Sequence, residues 1–203
     1  MAKYLLLIVT INEVNQVYFF RSISKEIQSI QLAFNDFPKT KRLVLGSILS
    51  SLATLFHLAG GILPVIGYFI SPLASAPILI CTVFSKSLGF ISYMISILLI
   101  FVLVPSELIV FPFTTGLLGL GIGMAFHFFE KRLSILLCGS LFLTIGIMIL
   151  LYGIKFPILG PSVSSSFNYS IVGSIFLFTL FYSWIWVEVS FVYLKIVSRK
   201  FNL

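Results

Sequence analysis

Charge is what this chain has least of. Only 9% of its 203 residues are Asp, Glu, Lys or Arg, against about 25% in a water-soluble domain. Six acidic residues and two histidines leave little material for acid–base catalysis or for a metal centre. The two cysteines, Cys81 and Cys138, both sit in apolar runs; they read as buried free thiols and supply no disulfide framework. The signatures of common enzymes are missing too. There is no G-x-x-x-x-G-K followed by Ser or Thr and no G-x-S-x-G. Gly119-x-Gly121-x-Gly123 lies inside an apolar run, where no strand-to-helix turn is expected. His57 and His127 are far apart, without H-E-x-x-H. These absences argue against an enzyme, and no cofactor or metal is expected.

What the chain has instead is hydrocarbon. The hydrophobic share is 59%, with 22 phenylalanines, and mean hydropathy is +1.15. So few charges cannot clothe a soluble core of this size, so the chain reads as an integral membrane protein. That excludes a soluble enzyme and a nucleic-acid-binding domain. The net charge of +7 then points to anionic lipid headgroups and membrane topology, with no nucleic acid as partner.

A helix advances 1.5 Å per residue and needs about 20 residues to cross the hydrocarbon. Apolar stretches of that length run 43–63, 87–104, 108–129, 133–154 and 169–194. They are separated by Pro105-Ser106-Glu107, by Glu130-Lys131-Arg132 and by a 155–168 loop bearing Pro157, Gly160 and Pro161. The stretch 64–86 is ambiguous, because Gly60-Gly61, Pro64, Pro72 and Pro77 suggest a loop followed by a short helix over about 74–86. Basic residues decide the matter, since they collect on the cytoplasmic side. If 64–86 crosses, one side holds 12 basic residues and the other only Lys155; if it does not, the split is 7 to 6. The expected architecture is therefore an all-α polytopic bundle of six transmembrane helices over 39–203, in the cell membrane, with both termini cytoplasmic.

Residues 1–38 form a separate N-terminal segment. The apolar run 4–11 is too short to cross and lacks a cleavage pattern. Ile23, Ile27, Ile30 and Phe34 recur at helical spacing, with Arg21, Lys25, Glu26 and Gln28 on other faces, which predicts an amphipathic helix on the inner leaflet. Asn35-Asp36-Phe37-Pro38 ends it, and Asp36 or Thr40 is expected to cap the first span.

Small and polar residues within the spans carry the remaining signal. Lipid offers no hydrophobic drive between helices, so they associate through small residues. Ser47-x-x-x-Ser51, with Gly46-x-x-x-Ser50 one position back, and Gly119-x-x-x-Gly123 are the candidate docking stripes, for neighbouring helices or for a partner subunit. Intramembrane polar groups are costly and commonly functional. His57 near the outer part of span one, Tyr68 in the Pro-broken segment, and Ser174, Trp184 and Glu188 on one face of the last span are the candidate substrate-binding residues; Lys195 is the alternative partner of Glu188. The helix-broken segment 66–77 and the 155–168 loop would roof an outward-facing pocket, since irregular backbone at membrane depth survives only against protein or a water-lined cavity.

The run Lys41-Arg42-Leu43-Val44-Leu45-Gly46-Ser47-Ile48-Leu49-Ser50-Ser51-Leu52-Ala53-Thr54, the segment Pro72-Leu73-Ala74-Ser75-Ala76-Pro77 and the Gly-rich fourth span resemble the YybS-like bacterial membrane proteins. More distantly, they resemble the substrate-binding S components of energy-coupling-factor (ECF) vitamin transporters; the likeness covers about 39–195. It implies a six-span bundle that captures a vitamin or small metabolite from outside and has no ATPase of its own. It also implies docking, through small residues of the first span, to a membrane coupling subunit that carries ATPases. Ser47 and Ser51 stand where the family has an A-x-x-x-A motif. The competing expectation is a structural or assembly protein that binds another membrane protein and transports nothing.

Six crossings put residue 155 and the C-terminal end of the last span on opposite faces. In a chain with Cys81 and Cys138 replaced by Ala, Lys155→Cys should react with an impermeant maleimide only from one side of sealed vesicles, and Lys195→Cys only from the other. Labelling of both from the same side refutes the topology.

Overall fold

The computed structural model describes residues 24–158, 160 and 168–200. Over these residues the chain is an all-α helical bundle without strands. The elements are α1 (Ser24–Asn35), α2 (Lys39–Ile62), α3 (Ile66–Ile70), α4 (Ser75–Phe84), α5 (Lys86–Leu103), α6 (Val110–Phe113), α7 (Thr115–Phe128), α8 (Arg132–Met148) and α9 (Tyr169–Lys200). A 3-10 turn over Ser71–Ala74 joins α3 to α4, another over Pro105–Glu107 precedes α6, and a π-helical turn over Ile149–Gly153 extends α8.

Six helical stretches are long and apolar enough to cross a bilayer: Lys39–Ile62, Ile66–Phe84, Lys86–Leu103, Pro105–Phe128, Arg132–Gly153 and Tyr169–Ile196. The first five stretches read from the sequence as spans correspond to five of these, with shifted ends. The ambiguous 64–86 is the remaining one. It is helical almost throughout, Pro72 falling in the 3-10 turn and Pro77 in the first turn of α4, where a missing backbone N–H does least harm. Gly60 and Gly61 do not break the chain but lie within α2. The break comes at Val65, whose φ of 62° and ψ of −60°, with a 2.7 Å bond from Ile66 N–H to the Pro64 carbonyl, make a strained γ-turn. At its other end α2 is capped by neither Asp36 nor Thr40. Pro38 takes the N-cap position with no side-chain bond, and its carbonyl accepts from Arg42 N–H at 3.2 Å.

The spans pack through small residues, as lipid demands. Gly46 of α2 receives Leu88 and Ser92 of α5. Gly119 lies on the Ser75 carbonyl and Ile78 of α4, and Gly123 on Thr82. The Gly119–Gly123 stripe, a candidate partner-docking surface from sequence alone, is thus occupied inside the bundle by α4. The apolar interior between α7, α8 and α9 is filled by Leu118, Ile122, Ile135, Leu143, Ile147 and Val187. A second cluster, built on Phe111, Ile78 and Ile100, lies between α2, α4 and α5.

Helix α1 departs from its expected place. Its stripe Ile27, Ile30 and Phe34 is buried against the bundle, and Phe34 stacks on Phe84 with centroids 4.9 Å apart, so protein covers the apolar face expected to lie on lipid. Ile23 and the 4–11 run fall outside the described residues.

The closest helix approach is at Gly146, where a Cβ would strike the Phe113 carbonyl. Gly146→Ala should therefore cost about 1–3 kcal/mol, read as a lowered midpoint of thermal unfolding in detergent. Gly173→Ala, where a Cβ meets nothing, should be neutral or gain up to about 1 kcal/mol from helix propensity. Equal losses at both positions would contradict this packing.

Candidate functional site

All spans share one geometry. Lys39, Lys86, Phe128, Arg132 and the end of α9 mark one face, the terminal face of the last span, and residues 63–65, 104–107 and 154–158 mark the opposite face. Each face holds a polar cluster.

On that opposite face, three interrupted helices converge on one ring. His57, in the last third of α2, is 2% exposed. Its Nδ1 lies 3.4 Å from Ser71 Oγ in the 3-10 turn and 3.4 Å from Thr115 Oγ1 at the start of α7. Its Nε2 faces Glu107 Oε2 at 3.6 Å, beyond hydrogen-bond range, and is a buried polar atom without a hydrogen-bond partner. The Phe111 ring closes the pocket edge-on, 5.1 Å from the imidazole. Glycines make the room: a Cβ at Gly61 would sit 2.8 Å from Glu107 Oε1, and one at Gly60 3.0 Å from Ser71 Cβ. The irregular backbone is anchored by Tyr93, whose hydroxyl donates to the Pro112 carbonyl at 2.9 Å, and by Thr114, whose hydroxyl donates to the Val110 carbonyl at 2.7 Å.

The chemistry of this cluster is particular. An imidazole, a carboxylate and two hydroxyls are gathered where desolvation is expensive, yet the ring lies 3.4 Å from each hydroxyl and 3.6 Å from the carboxylate, outside the 2.7–3.2 Å of a good hydrogen bond. Fully satisfied polar networks rigidify a core; this one is assembled but loose. Glu107 is 25% exposed at its side chain, so the cluster opens outward through the carboxylate. Among the described residues no three of His, Cys, Asp and Glu gather closely enough to hold a metal ion.

Of the five residues singled out as substrate-binding candidates, only His57 lies here. Tyr68 is on the same face but 73% exposed on the outside of α3. Ser174 is exposed and its hydroxyl bonds back to the Ser170 carbonyl at 2.9 Å. Trp184 is exposed beside Phe181. Glu188 lies toward the terminal face, where Arg132 Nη1 approaches it at 3.4 Å and also stands over the Phe191 ring at 4.2 Å; its partner is Arg132 and not Lys195. The five do not converge. Ser71, Glu107 and Thr115 escaped the sequence reading, although Glu107 is the one charge between Lys86 and Glu130, a signal that an intramembrane carboxylate deserves.

Of the docking candidates, Ser47 and Ser51 lie exposed on the outside of α2, beside Leu43, Ile48, Leu52 and Leu55. Their hydroxyls bond to the Leu43 and Ser47 carbonyls of their own helix at 3.0 Å, so the stripe is smooth and, among the described residues, uncommitted.

The terminal face holds the second cluster. Gln31 of α1 donates to the Val83 carbonyl at 3.0 Å and lies 3.1 Å from His127 Nδ1; His127 Nε2 lies 2.7 Å from the Thr82 carbonyl. A carbonyl only accepts, so Nε2 carries the hydrogen and Nδ1 accepts from Gln31. His127 is therefore spent in fastening α1 to α4 and α7. This arrangement is closed, in contrast to that around His57.

The chain shows no significant match to a protein-family model, to a curated protein or to a solved structure. The reading of its function rests on the residues.

Removing one of the two hydroxyls near His57 leaves the other, so Ser71→Ala and Thr115→Val should each cost under about 1 kcal/mol in detergent unfolding, in line with hydrogen bonds in membrane interiors. The double variant leaves the ring nitrogen without a partner and should cost about 1–3 kcal/mol. Strict additivity of two small losses would show that the hydroxyls do not serve the imidazole.

Proposed function

We propose that this chain is the substrate-binding subunit of a vitamin or small-metabolite importer. It is S-component-like, has no ATPase of its own, and relies on a membrane coupling subunit with ATPases for energy. The observation that carries this reading is the loose polar cluster of His57, Glu107, Ser71 and Thr115 under the helix-interrupted face away from the termini. Preformed hydrogen-bonding groups with unspent capacity, set beneath apolar walls, are what orients a small polar ligand in an otherwise greasy site. The uncommitted Ser47–Ser51 stripe supports the same reading, because small residues on a lipid-facing helix let another helix approach closely. With the termini cytoplasmic, the ligand enters from outside.

A second reading is favoured by a specific observation. The space between α7, α8 and α9, which a large outward pocket from the last three spans would need, is filled by the branched and aromatic side chains of the main core. A structural or assembly protein that uses the Ser47–Ser51 face and carries no ligand accounts for that filling.

Purification in mild detergent followed by native mass spectrometry separates the two. A coupling subunit with ATPases, or a retained metabolite lost in Glu107→Gln and His57→Gln, supports the importer reading. An unrelated membrane partner with no small molecule supports the assembly reading. In either case Ser47→Leu with Ser51→Leu should release the partner while leaving the unfolding midpoint within a few degrees; a partner that stays bound shows that this face is not the docking surface.

A further inference from the structure

The search for a further site leads to the terminal face, away from the polar cluster just described. Where α1 ends, α2 begins and α5 begins, the surface folds into a groove with a cavity of about 240 Å3. That is below the ~300–1,000 Å3 of a pocket that swallows a metabolite whole, and its lining is divided by chemistry. Lys39 and Arg42 approach from α2, one turn apart on the same side, and Ser85 and Ser87 from the opposite wall; Leu43 and Ile91 continue the lining. Lys39 and Ser87 are exposed, and so are Leu43 and Ile91. The groove thus begins among cations and hydroxyls and runs out onto an apolar surface between two spans.

The position of each charge sharpens this division. Lys86, at the start of α5, is engaged elsewhere, its Nζ 4.3 Å over the Phe128 ring. Arg42 touches only the amide oxygen of Asn35, at 3.4 Å, and among the described residues neither Lys39 nor Arg42 is paired with a carboxylate. Ser85 makes no capping bond to α5, so its hydroxyl is available to the groove. Lys39 and Arg42 stand at the very start of the first span, the depth at which a bilayer places its phosphates.

We infer that this groove binds an anionic phospholipid. The phosphate is held by the Lys39 ammonium, the Arg42 guanidinium and the Ser85 and Ser87 hydroxyls, and an acyl chain lies along Leu43 and Ile91. Charge complementarity selects the headgroup, since a guanidinium and an ammonium match a phosphate. The apolar exit selects a lipid over a free anion. The site is independent of the importer reading: it shares no residue with the His57 cluster and meets the Ser47–Ser51 stripe only at Leu43, whose carbonyl accepts from Ser47.

The test uses the full-length chain in detergent, delipidated and titrated with phosphatidylglycerol or phosphatidylcholine, with bound lipid counted by native mass spectrometry. Phosphatidylglycerol should be retained at least tenfold better. Lys39→Ala with Arg42→Ala should cut its retention about 30-fold, as expected for the loss of two basic residues at a membrane surface. Lys41→Ala with Lys195→Ala removes the same charge from the same face outside the groove and should change retention less than threefold. Tryptophan fluorescence and gel filtration confirm that each variant is folded. Three outcomes overturn the proposal: no preference for phosphatidylglycerol, equal losses in the two double variants, which would mean diffuse attraction only, or displacement of the lipid by millimolar inorganic phosphate, which would mean that the groove takes a free anion.

Discussion

Nothing in the middle of a bilayer can replace a backbone hydrogen bond that the protein fails to make. Every other feature of this chain is subordinate to that constraint. It explains why the ambiguous second span, with Pro72 and Pro77 in its sequence, still runs as helix from Ile66 to Phe84; a loop there would strand carbonyls in hydrocarbon. It also explains the behaviour of the hydroxyls. Ser50, Thr54, Thr82 and Ser190 each return their proton to the carbonyl four residues back, which hides a polar group at little cost. Ser96 goes further, reaching both its own helix and the Ser50 carbonyl of α2 at 3.1 Å, so a neutralised hydroxyl becomes a seam between spans.

The same constraint gives the exceptions their meaning. The interruptions at Val65, Pro105 and Thr114 fall together on one face and frame one imidazole. Tyr93 and Thr114 satisfy the freed carbonyls, so the breaks are supported and not merely tolerated. Irregular backbone at this depth must border protein or a polar cavity, and the long contacts around His57 leave it the hydrogen-bonding capacity that a ligand would take up. The terminal face shows the contrasting solution. There His127, only partly buried, has both nitrogens occupied and becomes a fastener for α1.

How much of this was legible in the sequence follows from which forces are local. Span number and helix type came from hydropathy and from the lysine and arginine bias, both read along the chain. The fate of small residues was not legible, because Gly119-x-x-x-Gly123 and Ser47-x-x-x-Ser51 have the same pattern and opposite orientations; only the packing of α4 on α7 turns one inward. Gly60-Gly61 looked like a helix end, yet tertiary context kept them helical to make room for Ser71 and Glu107. The cluster itself joins residues 57, 71, 107 and 115 across four elements, and no periodicity links them. The choice of Ser174, Trp184 and Glu188 followed one face of one helix, and in the structure the members of that face have different neighbours. The amphipathic stripe of α1 was correctly seen as one-sided, but a hydropathy pattern does not distinguish lipid from a neighbouring helix as its cover.

Helix α2 ties the two proposed activities together mechanically. His57 and Ser51 are six residues apart, about 9 Å along the axis and about 120° around it, the one buried and the other exposed. On the proposed function, one helix would carry both the ligand-contacting imidazole and the docking stripe, so that a tilt of one would be a tilt of the other. Its far end is packed closely: the missing side chains of Gly60 and Gly61 let α2 approach Ser71 and Glu107, and Gly67 lies on the Ala59 carbonyl, just beyond the strained turn at Val65. Its near end follows α1, which Gln31 and the Phe34–Phe84 stack hold to the bundle. On the proposed function, a ligand that shortened the contacts of His57 to Ser71, Thr115 and Glu107 would act on the same helix that presents Ser47 and Ser51 to a neighbour, which is how binding and docking would be linked.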